Sequence, residues 1–132
     1  MITVHSEFQQ ALSLYGWPLA RVMLAAVFLY SGQNKLRHWR ASVAEVGNMG
    51  LPLPAVFAAA TILTQLLGGA SLALGLGAAA GAALLALFTI AATVLGHRFW
   101  LLHGAAAQQE LTTSLEHVAI VGGLLSIVVR AF

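Results

Sequence analysis

A chain of 132 residues with four Asp or Glu, six Lys or Arg and 60% hydrophobic side chains cannot wet the surface of a globule, because soluble domains devote roughly 25% of their residues to charge. Its mean hydropathy of +0.89 makes lipid, not water, the solvent for most of its surface. A net charge of +2 spread along the chain is no nucleic-acid footprint, and the lack of cysteine excludes a disulfide framework, a thiolate metal site and a dithiol relay within this chain.

In chain order, residues 1–14 carry Phe8, Leu12 and Leu14 among polar neighbours, compatible with a short interfacial helix or a frayed terminus. A first span is predicted over 18–35, with Tyr15 and Trp17 as its aromatic anchor. The apolar run 22–30 leads into Ser31-Gly32-Gln33-Asn34-Lys35, which lacks the small-residue pattern of a cleaved leader. Residues 36–50, with Arg37, Arg40, Glu45 and two glycines, read as a surface loop holding one helical turn. Then come 51 residues, 46–96, without one charged side chain. As a single helix they would run about 75 Å against a hydrocarbon core of ~30 Å. Two passes fit instead, 54–74 and 78–97, with the glycines of Leu74-Gly75-Leu76-Gly77 making the turn. Phe99, Trp100 and Leu101 belong at the interface beyond. A fourth span is predicted over 113–129, closed by Arg130.

The expected fold is therefore all-α and membrane-embedded, a single-domain bundle of four transmembrane helices over residues 1–132 with both termini on one side. Lys35, Arg37, Arg40 and Arg98 fall in the two polar connections, so the positive-inside rule puts those in the cytoplasm and the termini outside.

Ionisable groups in a span cost roughly 2.5–3.5 kcal/mol each on insertion scales, so those that remain need a reason. Arg21, Asn34, Lys35, Gln65, His97, Glu116 and His117 all lie in or at the edge of a predicted span. Asn34, Lys35, His97, Glu116 and His117 group near one membrane face, and Gln65 sits near the midplane. Arg21 enters from the opposite side but shares a helix face with Lys35, fourteen residues on. Together they predict a polar seam inside the bundle. Plainer roles compete: Lys35 and Arg98 as snorkelling anchors, His97 as an interface residue, Glu116 and His117 as complements to a helix N-terminus, and Gln65 as interhelical glue. His5, His38 and His103 read as solvent or headgroup residues. A haem would need His97 and His117 as its pair, and both lie near the interface, so no metal site is expected. Gly68-Gly69 and Gly122-Gly123 let helices approach closely, within the bundle or between protomers of a homo-oligomer.

These residues resemble the DoxX family of small four-helix membrane proteins. The likeness rests on Arg21, Ser31-Gly32 and Lys35 in the first span, Gly50-Leu51-Pro52 after it, and Gln65-Leu66-Leu67-Gly68-Gly69 in the second. His97-Arg98-Phe99-Trp100 and Gly122-Gly123-Leu124-Leu125 complete it. Gln65 stands where the family usually has a glutamate, and Glu116-His117 where it commonly has lysine-asparagine, as though one carboxylate had moved from the second span to the fourth. The resemblance implies an inner-membrane accessory subunit of an oxidoreductase system, since some members are membrane subunits of quinone-linked sulfur or thiol oxidoreductases or partners in oxidant defence. It implies a quinone-like or small amphipathic ligand in a polar cavity, and a soluble or membrane partner subunit supplying the redox centre. This chain, without cysteine, flavin motif or clear haem ligands, would not be a self-sufficient redox enzyme. A non-enzymatic membrane scaffold or assembly protein is the alternative, and a small-solute transporter a third reading, for which four spans without a broken-helix pair offer little machinery.

Overall fold

The computed structural model describes residues 2–132, and their regular structure is helical throughout. Helix α1, Ile2–Ala11, runs through a π-helical turn at Leu12–Gly16 into α2, Trp17–Arg37. The N-terminal stretch is thus neither frayed nor a separate interfacial helix. Pro18 lies in the first turn of α2, where it offers no N–H to the preceding turn, and the hydrogen-bond ladder widens just ahead of it.

Helix α3, Trp39–Asn48, replaces the surface loop expected over 36–50. Ser42, Val43, Val46 and Met49 recur at helical spacing and are the buried or half-buried members of this segment, which is why it folds onto its neighbours. The Ser42 hydroxyl staples it to the end of α2, lying 2.9 Å from the Lys35 carbonyl and 3.0 Å from that of His38.

Helices α4, Pro54–Leu74, and α5, Ala78–Gly96, take up the uncharged stretch. Gly75 and Gly77, with φ of 72° and 60°, make the left-handed turn between them. Helix α6, Gly104–Arg130, begins well before the expected 113. The run Ala105–Ala106–Ala107 favours helix, and polar residues can extend a membrane helix into water as readily as end it. Four helical stretches are long and apolar enough to cross a membrane, and side chains such as Leu67, Leu87 and Val118 face outward, 66%, 68% and 65% exposed. The chain is a multi-pass membrane protein.

Helix α2 packs on α4, α4 on α5 and α5 on α6, while α6 returns only sparingly to α2. Close approach depends on missing side chains: a Cβ on Gly68 would stand 2.7 Å from Leu85 Cγ. One end of the bundle is dry. Its core comprises Ala25, Phe28, Leu72, Ala82, Leu85, Ala86, Leu124 and Ile127. Beyond that core, Arg21 lies against the Gly75 turn, and Arg130 stacks 4.2 Å over the Trp17 ring. The other end, roofed by α3, is polar.

Candidate functional site

A helix positions a stripe of side chains at steps of three and four, and each span brings one polar stripe-member to the roofed end. On α2 the stripe Phe28, Ser31, Lys35 faces inward. On α4 it is Ala58, Ile62, Gln65, and on α5 it is Thr89 and Ala92 leading to His97. On α6 it is Glu110, Ser114, His117. Between them lies a cavity of about 370 Å³, lined by Ser31, Lys35, Ser42, Glu45, Thr61, Gln65, Thr89, His97 and His117 and by an apolar wall that includes Phe28, Phe57 and Phe88. That volume and that mixture fall within the range of small-molecule sites, about 300–1,000 Å³ and mostly apolar with a few convergent polar groups.

Ser31 is the hub of the α2–α4 wall. Lys35 Nζ donates to its Oγ at 2.7 Å, and Gln65 Nε2 donates to the same oxygen at 3.1 Å. Gln65 is 5% exposed, and its Oε1 is buried with no hydrogen-bond partner. Turning the amide over would only exchange which of its two atoms is orphaned. An unmet buried acceptor costs about 1–3 kcal/mol, so this wall is incomplete by itself. Lys35, half-buried beside it, has no carboxylate within 4 Å among the described residues, where the one such ion pair joins His97 to Glu110.

The α5–α6 wall carries two imidazoles. Glu110 Oε2 accepts from His97 Nδ1 at 2.6 Å, and the two histidine rings meet edge to face with centroids 5.0 Å apart. The Thr93 hydroxyl donates to the Thr89 carbonyl at 2.6 Å and lies 2.8 Å from His117 Nδ1. One hydroxyl proton cannot serve both contacts, so His117 Nδ1 carries the hydrogen and donates to Thr93. Both rings are therefore anchored through Nδ1, which leaves Nε2 of each free to meet a ligand.

Of the residues singled out from the sequence, Lys35, Gln65, His97 and His117 line this cavity. Asn34 and Glu116 point outward and are exposed. Arg21 sits at the other end of the bundle, against Gly75, with its Nε buried and unpartnered. It shares a helix face with Lys35 but not a depth, so no continuous polar seam joins them. The carboxylate that meets a histidine at this end is Glu110, one helical stripe away from Glu116. Thr93 and Glu110 are not among the residues singled out, and Ser31 figures in the sequence only through the family likeness. Ser31 and Lys35 are four residues apart on α2, as Glu110 is seven from His117 on α6, and that spacing is the signal that marks them. Among the described residues no group of three His, Cys, Asp or Glu is placed to hold a metal ion.

The DoxX family model matches residues 16–98, which takes in the first three spans and ends before α6. The chain is also similar to the inner membrane protein YphA of Escherichia coli (strain K12), 23% identical over 107 residues, covering 81% of this chain and 76% of that one. No solved structure matches it.

Proposed function

From the premise that this chain belongs to the DoxX family, we propose that it is an inner-membrane accessory subunit of an oxidoreductase system and that the roofed cavity binds a quinone-like or other small amphipathic molecule. The observation that carries this reading is the unpartnered Gln65 Oε1 beside Lys35, whose ammonium meets the Ser31 hydroxyl and no carboxylate within 4 Å. A donor and an acceptor stand together on one wall, with two Nδ1-anchored imidazoles opposite. A ring bearing oxygens at both ends meets that set in its two redox states: Lys35 Nζ donates to a carbonyl of the quinone, while Gln65 Oε1 and Nε2 of His97 or His117 accept from the hydroxyls of the hydroquinone, Nε2 taking the proton when one is lost. Phe28, Phe57 and Phe88 supply the apolar faces for the ring. Arg21, at the other end of the bundle, has no part in it. A quinone-like ligand would supply the redox chemistry and a partner subunit the electrons' other station. The residues of this chain bind, orient and hold protons.

The test is binding. Purified protein in lipid nanodiscs should be stabilised by a tail-less benzoquinone or its hydroquinone in thermal-shift and calorimetric measurements. Lys35→Ala and His97→Ala should each weaken binding at least tenfold. Absence of any shift with the wild-type protein overturns the reading.

A further inference from the structure

The thin contact between α2 and α6 leaves a second opening. Below the cavity, on the side of the dry core, a groove of about 360 Å³ runs along the outside of this seam, lined by Trp17, Ala20, Leu24, Val27, Gly123 and Ile127 among others. Val27 belongs to both walls, that of the groove and that of the cavity. The order along each helix agrees. On α2 the cavity takes Lys35, Ser31 and Phe28, and the groove takes Leu24, Ala20 and Trp17. On α6 the cavity takes His117 and Ile120, and the groove takes Gly123 and Ile127. Cavity and groove follow one another along the α2–α6 contact and share Val27.

We infer that this groove is the slot for the aliphatic tail of the molecule whose polar head fills the cavity, so that the ligand is a single-ring amphiphile with one long tail. The inference rests on the cavity being the head site. From Val27 to Trp17 is ten residues of helix, about 15 Å, which is half of a hydrocarbon core of ~30 Å. A tail leaving the head at Val27 therefore reaches the opposite headgroup level where Trp17 and Arg130 stack. The Ser126 hydroxyl on the groove wall is spent on the Gly123 carbonyl at 2.7 Å. Gly123 lets α6 lie close to Leu24 at the floor of the groove, since a Cβ there would stand 3.1 Å from the Leu24 side chain. Tails gain little from leaving lipid for protein. The slot thus selects by shape and fixes the direction of the head rather than adding much affinity.

A benzoquinone carrying a decyl tail with a terminal diazirine locates the tail. After photolysis in nanodiscs, peptide mass spectrometry should find adducts concentrated on residues 17–27 and 123–127. Excess unlabelled decyl benzoquinone should suppress them, and Ala20→Phe, which fills the groove, should lower their yield at least fivefold. Two results overturn the tail slot while tail-less benzoquinone still stabilises the protein. One is adducts scattered over lipid-facing positions such as Leu63 and Leu87. The other is groove adducts that excess unlabelled quinone does not reduce, the signature of an ordinary phospholipid chain. If tail-less benzoquinone gives no stabilisation either, the head site itself fails and the slot fails with it.

Discussion

Gln65 holds an acceptor in the bundle interior that nothing in the protein satisfies, and that makes it a residue with opposite effects on stability and binding. Gln65→Leu removes the orphan at similar volume, so stability to unfolding in detergent should hold or rise, by an amount on the order of 1 kcal/mol. The stabilisation by a benzoquinone should disappear in the same variant. Glu110 gives the second residue-scale prediction. Glu110→Gln replaces a charged partner of His97 with a neutral one and should weaken ligand binding by about 1 kcal/mol, roughly fivefold. Glu116→Gln, at an exposed position outside the cavity, should leave the same titration unchanged. Polarity within or beside an apolar span brings Lys35, Gln65, His97 and His117 forward, together with Arg21, Asn34 and Glu116. It passes over Glu110, because a fourth span begun at 113 leaves Glu110 outside any helix. Only once α6 is known to start at Gly104 does the seven-residue step from Glu110 to His117 set both on one stripe, with Glu116 about 100° away.

Among the helices, contact is governed by where a side chain is missing. Gly68→Ala pushes a methyl to within 2.7 Å of Leu85 Cγ, so α4 and α5 must part. It should cost about 1–3 kcal/mol in reversible unfolding. Gly122→Ala meets nothing within 4 Å and should be neutral. The two glycine pairs look alike as text, and only packing distinguishes them. The two middle spans were legible to the residue at three of their four ends, because an uncharged stretch too long for one crossing must fold back, and proline and glycine mark where. The connection after α2 was not legible. Its charges argued for a loop, while the half-buried stripe from Ser42 to Met49 was short enough to pass for scatter. Arg21 misled in a different way. A fourteen-residue interval reports a shared face, yet it also measures about 21 Å of axial distance, more than any side chain reaches.

For the whole molecule, the absence of native cysteine makes every position addressable by a single thiol. In sealed inside-out vesicles a membrane-impermeant maleimide should label Ala106→Cys on the polar end of α6 and leave Val118→Cys untouched. Four crossings also predict that thiols placed at His5 and Ala131 react from the same side. Labelling of one terminus without the other would contradict the crossing count. The lengths of the helices carry one more implication. Helix α4 has 21 residues, about 31 Å, and α6 has 27, about 40 Å. The excess lies at the polar end, where His97 and Glu110 keep about a third of their side-chain surface accessible. Helix α6 is thus a stiff lever with His117 on its buried arm and Glu110 on its wet one. His117 and Glu110 ride on one unbroken helix, so a tilt of α6 that displaces the one must displace the other.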